Sequence, residues 1–351
     1  MREIEIKKED AGQRLDKLLA KYLPLAEKSF IHKMLRKKNI TLNDKKAGGE
    51  QRIKEGDRIR LWLAEETIEK FAAPAAKNSP ESREREEKSK KEIREKDSSR
   101  VFFSLEKERI VYEDEELLVY NKPAGLLSQK AQPSTLSLND LLLQYLGEER
   151  NPLFKPSICN RLDRNTSGLV ICAKTYRAAR CMGDLIKERK IEKYYLCAVS
   201  GIPKREMRVA SWLKKEEKSN KSLIKDEEFA GAKYIETKYR LLYEEDRISL
   251  LLAKLITGRS HQIRAQLSYL GYPILGDKKY AKKREGEEKI PLSSIKHQLL
   301  HAYLLKLPSF SGELSYLSGM VFCAPPPRDF FVLFPGADEI KKGNKEGNKE
   351  G

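Results

Sequence analysis

The stretch "CNRLDRNTSGLV", residues 159–170, places a single acid, Asp163, between Arg161 and Arg164 and then turns through a Ser-Gly pair into an apolar strand. No neighbouring residues form a metal-ligand pattern. This block alone leaves two interpretations of Asp163 open. Either its carboxylate serves chemistry at the end of the strand, or it makes an Asx turn or helix cap ahead of Thr166. The two interpretations can be distinguished only with the help of the other sequence blocks.

A second block, "LITGRSHQIRAQLSYLGYPILGDKKY" (255–280), also joins a strand to polar side chains through a turn. The strand turns at Gly258 into a predicted helix that carries His261, Gln262 and Arg264. The histidine is better suited to packing and hydrogen bonding than to acid–base catalysis. The helix therefore presents one arginine as the main charged group.

Two shorter blocks complete the set. In "KYYLCAV" (193–199) the adjacent Tyr194 and Tyr195 should face opposite sides, because side chains alternate along a strand. Without other information, Tyr195 would be interpreted as a core or edge aromatic. In "YEDEELLVYNKPAGLLSQ" (112–129) a strand leaves through a turn containing proline and glycine.

The pattern between residues 101 and 336 is that of an α+β body. It predicts strands at 117–120, 169–173, 194–199, 233–242 and 248–255, and helices at 138–146, 176–188 and 261–270. The short acidic stretch "YEED" separates the two longest strands, which indicates a hairpin and a mixed, largely antiparallel sheet. The chain contains neither GxGxxG nor GxxxxGK[ST], which argues against a dinucleotide or triphosphate fold.

Residues 1–64 are predicted to form a separate small α/β unit. Two amphipathic helices, at 14–23 and in the first part of 28–43, lead into a short strand at 40–42 and a half-buried strand at 57–63. The second helix and its end carry a cluster of cations, Lys28, Lys33, Arg36, Lys37 and Lys38. Such a cluster can follow a phosphate backbone, or it can be only a solvated basic face.

The flanks of the larger body have a different composition. Residues 65–100 mix both charge signs densely with few apolar residues, which predicts a flexible linker. Residues 337–351 end in the polar repeat "GNKEGNKEG", which predicts a disordered tail. The sequence thus divides into a small unit, a linker, a large body and a tail.

Charge and composition narrow the class of partner. The 351 residues carry 70 Lys and Arg against 53 Asp and Glu, a net charge of +17. That excess favours a nucleic acid over a membrane surface, although a lysine-rich habit that aids solubility is an equal alternative from charge alone. No apolar stretch is long enough for a membrane span, and the first residues lack the apolar run of a signal peptide, so we expect a cytoplasmic protein.

The cysteines and histidines predict no metal site. Five cysteines form no CxxC pair, and four histidines show no metal-ligand spacing. Cys159 is a weak candidate for a nucleophile, because no partner histidine is identifiable. We therefore expect no metal and no cofactor.

The ordered blocks resemble the RluA-type family of RNA pseudouridine synthases over about residues 110–335. The blocks "RLDR.TSGL" and "TGR.HQIR…LG.PI.GD..Y" carry the likeness. Residues 1–64 resemble the small RNA-binding domain shared by a ribosomal small-subunit protein and several RNA-modifying enzymes, through "RLDKLLA" and "IKEGDRIRLWL". The resemblance implies a pseudouridine synthase fold and structured RNA, with large-subunit ribosomal RNA favoured, as substrate.

The resemblance also implies roles for individual residues. Asp163 matches the family's catalytic aspartate, which must be ionised beside the ribose C1′. A buried carboxylate tends to become protonated, and a neighbouring arginine, here Arg264, would keep it charged and fix its orientation through a two-pronged pair. Tyr195 matches the tyrosine that stacks on the flipped uracil, and Arg161 matches the arginine that fills the space the base leaves. The reaction requires no cofactor.

One position departs from the family. Where its members usually have histidine, this chain has Asn160, whose amide can still donate and accept hydrogen bonds. The departure concerns substrate preference rather than the catalytic aspartate.

Three other functions compete with the synthase. They are a catalytically silent RNA-binding ribosome assembly factor, a synthase that acts on tRNA, and a carboxylate hydrolase such as a glycosidase. The hydrolase requires a second acid at a fixed separation, and none accompanies Asp163 in its block. Nothing in the sequence demands more than a monomer.

Overall fold

The computed structural model describes residues 1–72, 104–130, 132, 135–147, 153–216, 221–280 and 295–337. The remaining parts of the predicted linker and tail, residues 73–100 and 338–351, lie outside the described residues. Among those described, no helix is both long enough and apolar enough to cross a bilayer.

The N-terminal unit packs its helices on a small antiparallel sheet. Its elements are β1 (Arg2–Glu5), α1 (Leu15–Tyr22), α2 (Lys28–Arg36), β2 (Ile40–Leu42), β3 (Arg58–Leu61) and α3 (Glu65–Phe71). The strand order is β1-β3-β2. The core holds Leu15, Leu18 and Leu19 of α1 with Ile31 and Leu35 of α2, the residues whose helical spacing predicted these two helices.

Helix α3 occupies residues that the sequence assigned to the linker. Ile68 is fully buried in the N-terminal core, and the ring of Phe71 lies 4.6 Å from that of Phe30. The folded unit therefore extends to about residue 72 rather than 64. The sequence does contain a helical signal here, because Ile68 and Phe71 are apolar and three residues apart. The many charged residues around them favoured the interpretation as a linker.

The larger body is built on one extensive sheet. Its strands are β4 (Ile110–Glu113), β5 (Leu117–Lys122), β6 (Ser157–Ile158), β7 (Ser167–Ala173), β8 (Glu192–Ser200), β9 (Glu206–Lys215), β10 (Ser222–Lys225), β11 (Lys233–Glu245), β12 (Ile248–Leu255), β13 (Leu300–Lys306) and β14 (Val321–Cys323). Its helices are α4 (Leu138–Leu146), α5 (Tyr176–Lys187), α6 (Gln262–Tyr269) and α7 (Arg328–Leu333).

The strand order is β10-β9-β11-β12-β8-β13-β7-β5-β4, with β14 beside β13 and β6 beside β7. Among the strands described, β7 and β13 form a parallel pair and the others pair antiparallel. The predicted α+β class with a mixed, largely antiparallel sheet is confirmed. The predicted hairpin also forms, although β11 continues to Glu245 and the chain reverses at Asp246, which has a φ of 52°.

The parallel junction of β7 and β13 requires the glycine of the Ser-Gly pair. Gly168 has a φ of +113°, and a Cβ there would lie 2.2 Å from the carbonyl oxygen of Ala302. Beside it, the Ser167 hydroxyl lies 2.9 Å from Nδ1 of His301, whose Nε2 lies 3.0 Å from the Ala324 oxygen. Because that carbonyl can only accept, Nε2 carries the proton and Nδ1 accepts from the serine.

His301 should make stability dependent on pH. Burial lowers the pKa of His301 to about 4. Below pH ~6.5 the unfolded chain protonates this histidine while the folded chain does not, so the free energy of unfolding should fall as the pH drops from ~6.5 through 4. We expect a loss of about 2–3 kcal/mol from this group in urea unfolding. His301→Gln should lose less over the same interval, and an equal loss in both proteins would contradict the assignment.

The N-terminal unit contacts the larger body. Leu153 is buried in the N-terminal core, and the ammonium of Lys21 lies 5.4 Å and 5.1 Å from the ring centres of Phe154 and Tyr176. The Lys21 ammonium also donates to Oε1 of Gln13 at 3.0 Å. The two units predicted from the sequence therefore meet along a defined surface.

Candidate active site

Asp163 lies in the loop that enters β7, and its neighbour fixes that loop. Leu162 is buried, its backbone amide donates to the Ser128 hydroxyl at 3.0 Å, and the same hydroxyl donates to the Leu162 carbonyl at 2.8 Å. One side chain thus holds both polar groups of the residue before Asp163, which limits how far the acid can move.

The turn after β5 clamps the other side of the loop. The fully buried ammonium of Lys122 donates to the carbonyls of Pro123, Leu126 and Arg164 at 3.0, 2.8 and 3.1 Å. Burial lowers its pKa to about 7, although the charge of Asp163 opposes that shift. Gly125 and Arg164 add a backbone hydrogen bond of 2.9 Å, and Arg164 Nε donates to the Gly125 oxygen. This clamp accounts for the lysine and glycine of "NKPAG".

Asn160 connects the same loop to β7. Its Oδ1 accepts from the amide of Ile171 at 2.8 Å, and its Nδ2 donates to the Leu169 carbonyl at 3.3 Å. A side chain here must both donate and accept, and an amide does so without titrating. Asn160 thus serves the loop's position and does not contact Asp163 through any described hydrogen bond.

Arg264 of α6 joins two carboxylates. Its Nη1 donates to Oδ2 of Asp163 at 2.7 Å, while Nε and Nη2 donate to Oδ2 and Oδ1 of Asp277 at 2.7 and 2.9 Å. The predicted contact with Asp163 is present, but the expectation of a two-pronged pair with it is wrong. The planar fork is used on Asp277, and Asp163 takes the remaining nitrogen.

Asp277 is a site residue that the sequence analysis missed. Its Oδ1 also accepts from the amides of Lys279 and Tyr280 at 2.9 and 3.2 Å. Burial alone would raise its pKa, but the bonds from Arg264 and these amides lower it below the usual value. Burial likewise opposes the charge of Arg264, yet the two carboxylates raise its pKa. The sequence did contain a hint of this role, because Asp277 is the acid of "GDKKY" and lies within the second block.

Exposure separates the roles of the two acids. The Asp277 side chain is fully buried, whereas that of Asp163 is 26% exposed and that of Arg264 is 8% exposed. Among the described residues, Oδ1 of Asp163 makes no hydrogen bond. Asp277 therefore positions the arginine, and Asp163 presents one free oxygen from a partly buried side chain. A two-carboxylate hydrolase is disfavoured because the second acid cannot reach a substrate.

His261 lies at the same site in a left-handed backbone conformation with a φ of 56°. Its Nε2 lies 3.8 Å from Oδ2 of Asp163, and its Nδ1 lies 2.9 Å from the hydroxyl of Tyr280. Burial lowers the pKa of His261, and the positive charge of Arg264 adds to that effect, while Asp163 opposes it. A neutral histidine packed against the acid agrees with the predicted structural role.

Tyr195 faces the site from β8. It pairs with Ala253 of β12 and Ala302 of β13, so small neighbours flank the ring. Burial raises its pKa, and the charge of Asp163 raises it further, which places its hydroxyl in the electrostatic field of the acid. Tyr194 faces the other side and donates to Glu192 at 2.6 Å. The predicted alternation of the two tyrosines is confirmed.

The predicted RNA-contacting cations are at the surface. Arg161 and the five cations of α2 and its end are exposed, and none makes an ion pair with another described residue. Cys159, by contrast, has its pKa raised to about 12 by burial, which disfavours a nucleophilic thiol.

Comparison with known proteins defines the class. A family model described as RNA pseudouridylate synthase matches residues 116–269, which include Asp163, Tyr195 and Arg264. The solved structure of human RNA pseudouridylate synthase domain containing 4 matches with a TM-score of 0.52 and 25% identity over 66% of this chain and 92% of that one. The fold and the family model thus define the class as an RNA-modifying enzyme that isomerises uridine.

Two relatives match over most of the length of this chain. Ribosomal large subunit pseudouridine synthase C of Rickettsia bellii is 33% identical over 83% of this chain and 88% of its own length. An uncharacterised RNA pseudouridine synthase of Mycoplasma genitalium is 31% identical over 86% of this chain and 88% of its own. The chain belongs to the RNA pseudouridylate synthase family.

Proposed function

We propose that this enzyme isomerises specific uridines in large-subunit ribosomal RNA and that Asp163 is its catalytic aspartate. The observation that carries the proposal is the half-buried Asp163 carboxylate, with one oxygen held by Arg264 at 2.7 Å and the other free. The named activity of the Rickettsia bellii relative supports the choice of ribosomal RNA over tRNA.

In this proposal Asp163 acts at the ribose of the target nucleotide. The bond between N1 of uracil and C1′ breaks, the base rotates, and a new bond joins carbon 5 to C1′. The free Oδ1 can serve either as the nucleophile on C1′ or as the base that removes a ribose proton. Both routes need an ionised oxygen, and the single hydrogen bond from Arg264 stabilises that charge.

The target base has to leave its stack before Asp163 can reach C1′. Tyr195 offers an aromatic face beside the acid, on which the turned-out uracil would stack. Arg161 is exposed two residues before Asp163 and would fill the space that the base leaves. Arg161 is already at the surface, whereas Tyr195 is 8% exposed and packs in the core of the larger body, so the uracil would have to stack on the small open part of its ring.

The N-terminal unit would anchor the RNA. Lys28, Lys33, Arg36, Lys37 and Lys38 are exposed and can contact successive phosphates, since counterion release favours such contacts. We further propose that the enzyme acts as a cytoplasmic monomer without a cofactor. The alternative, a silent assembly factor, would not need the charged network of Asp163, Arg264 and Asp277.

The protein should release tritium from RNA labelled at carbon 5 of uracil, because formation of the new bond expels that hydrogen. The assay should use purified protein, no added metal or nucleotide, and ribosomal RNA from a strain that lacks the gene, in which the target uridines are unmodified. Matched tRNA serves as the comparison. If no ribosomal RNA gives release under varied salt and folding conditions, the protein is better described as an assembly factor. If only tRNA gives release, the protein is a synthase that acts on tRNA.

A further inference from the structure

Trp62 is exposed on the N-terminal unit without a structural partner. It directly follows β3, where Ile59 and Leu61 face the core, and its own side chain is 53% exposed on the opposite face. Within the described part of the chain, its ring contacts no other aromatic ring or cation and its indole N–H makes no hydrogen bond. Packing therefore gives no reason for so large an apolar side chain at this position.

Three other exposed aromatic side chains, unlike Trp62, have hydrogen-bond partners among the described residues. Tyr234, Tyr269 and Tyr316 are 43%, 49% and 54% exposed, and each hydroxyl donates to a carboxylate, at 3.0, 3.0 and 2.8 Å. Those rings are oriented by the protein, whereas Trp62 is not. A single exposed apolar residue is ordinary, so its surroundings must decide what it does.

The backbone beside Trp62 leads to a group of cations. Its backbone amide donates to the carbonyl of Asn39 at 2.8 Å, which places it beside the end of α2. Asn39 directly follows Arg36, Lys37 and Lys38, which are exposed and have no ion-pair partner among the described residues. Arg60, on the same face of β3 as Trp62, is neutralised by Glu3 and Asp44. The α2 end therefore brings unpaired cations to the backbone beside Trp62, while Glu65 of the following helix is paired with Arg2 and Glu66 is exposed.

An aromatic face beside unpaired cations matches the chemistry of an unpaired nucleotide. The base stacks on the ring while the phosphates meet the cations, and neither contact requires a particular sequence. We propose that Trp62 with Arg36, Lys37 and Lys38 forms a stacking site for an unpaired base of the RNA. The identity of the ligand rests on the proposed function, but binding can be measured without turnover.

Fluorescence gives a direct test, because the chain has only two tryptophans, Trp62 and Trp212. In full-length Trp212→Phe protein, an unpaired oligoribonucleotide should quench the remaining indole. A fully paired duplex should quench it less, and inorganic polyphosphate, which has charge but no bases, should not quench it. Quenching by polyphosphate equal to that by RNA would overturn the stacking site.

Affinity separates stacking from charge. Trp62→Ala should weaken binding of the unpaired oligonucleotide by about 5- to 150-fold, whereas Trp62→Phe should weaken it less. The salt dependence should stay unchanged in Trp62→Ala but flatten in Lys37→Gln/Lys38→Gln, by roughly 0.7 in slope for each phosphate that the variant no longer neutralises. Leu25→Ala, at a side chain 59% exposed on the same unit, is the matched control.

Two further outcomes would overturn the proposal, namely affinity of Trp62→Ala equal to that of Leu25→Ala and absence of quenching by unpaired RNA. Tritium release by the same variants at saturating RNA keeps this result separate from the proposed activity. A protein that isomerises uridine but shows no quenching refutes the stacking site alone. A protein that is quenched but never releases tritium refutes the isomerase alone.

Discussion

Asp163→Asn is expected to abolish tritium release from labelled ribosomal RNA while RNA binding persists. The amide has the size of the carboxylate but cannot attack C1′ or take a ribose proton. Loss of a general base typically costs about 10²–10⁴ in rate, and loss of a nucleophile costs more. The fold should tolerate the change because Arg264 keeps its fork to Asp277.

Asp184→Asn is the matched control, since this aspartate of α5 is 64% exposed and pairs with Arg180 rather than with a residue of the candidate site. It should retain full release. Activity of Asp163→Asn within tenfold of the parent, with thermal unfolding unchanged, would remove Asp163 from the catalytic role and leave the isomerase itself standing.

Arg264→Ala is expected to lose both activity and stability, and a second substitution can separate the two losses. Removing the arginine leaves Asp277 buried without its cation, which typically costs about 3–5 kcal/mol of unfolding free energy. It also removes the hydrogen bond that Arg264 donates to Oδ2 of Asp163. Arg264→Lys should keep part of the rate, because a cation remains but the planar fork is absent.

The double variant Arg264→Met/Asp277→Asn should restore most of the stability but not the rate. Methionine replaces the apolar stem of the arginine, and asparagine still accepts from the amides of Lys279 and Tyr280 without carrying a buried charge. Stability follows from urea unfolding and rate from tritium release. If the double variant recovers stability and rate together, Arg264 acts only by stabilising the fold. Equal rates in Arg264→Ala and Arg264→Lys would argue against a role of its charge.

Local pattern was enough to predict most of the elements. Helix α4 and strand β12 were predicted with the bounds that the structure shows, because a helical period and a strand with defined turns are short-range properties. The blocks that carry the family resemblance also identified Asp163, Arg264 and Tyr195. What the sequence determined by itself was thus which residues lie at strand ends and turns, and which side of β8 each tyrosine faces.

The partners of those residues were decided only by the tertiary structure. Arg264 reaches Asp163 across 101 residues, and Lys122 reaches the Arg164 carbonyl across 42, and no local periodicity reports such contacts. The fork to Asp277 spans only 13 residues, yet it depends on how α6 packs against the turn that follows it. Likewise α3 is stable because Ile68 and Phe71 meet the N-terminal core, since tertiary burial outweighs the charged composition of the segment.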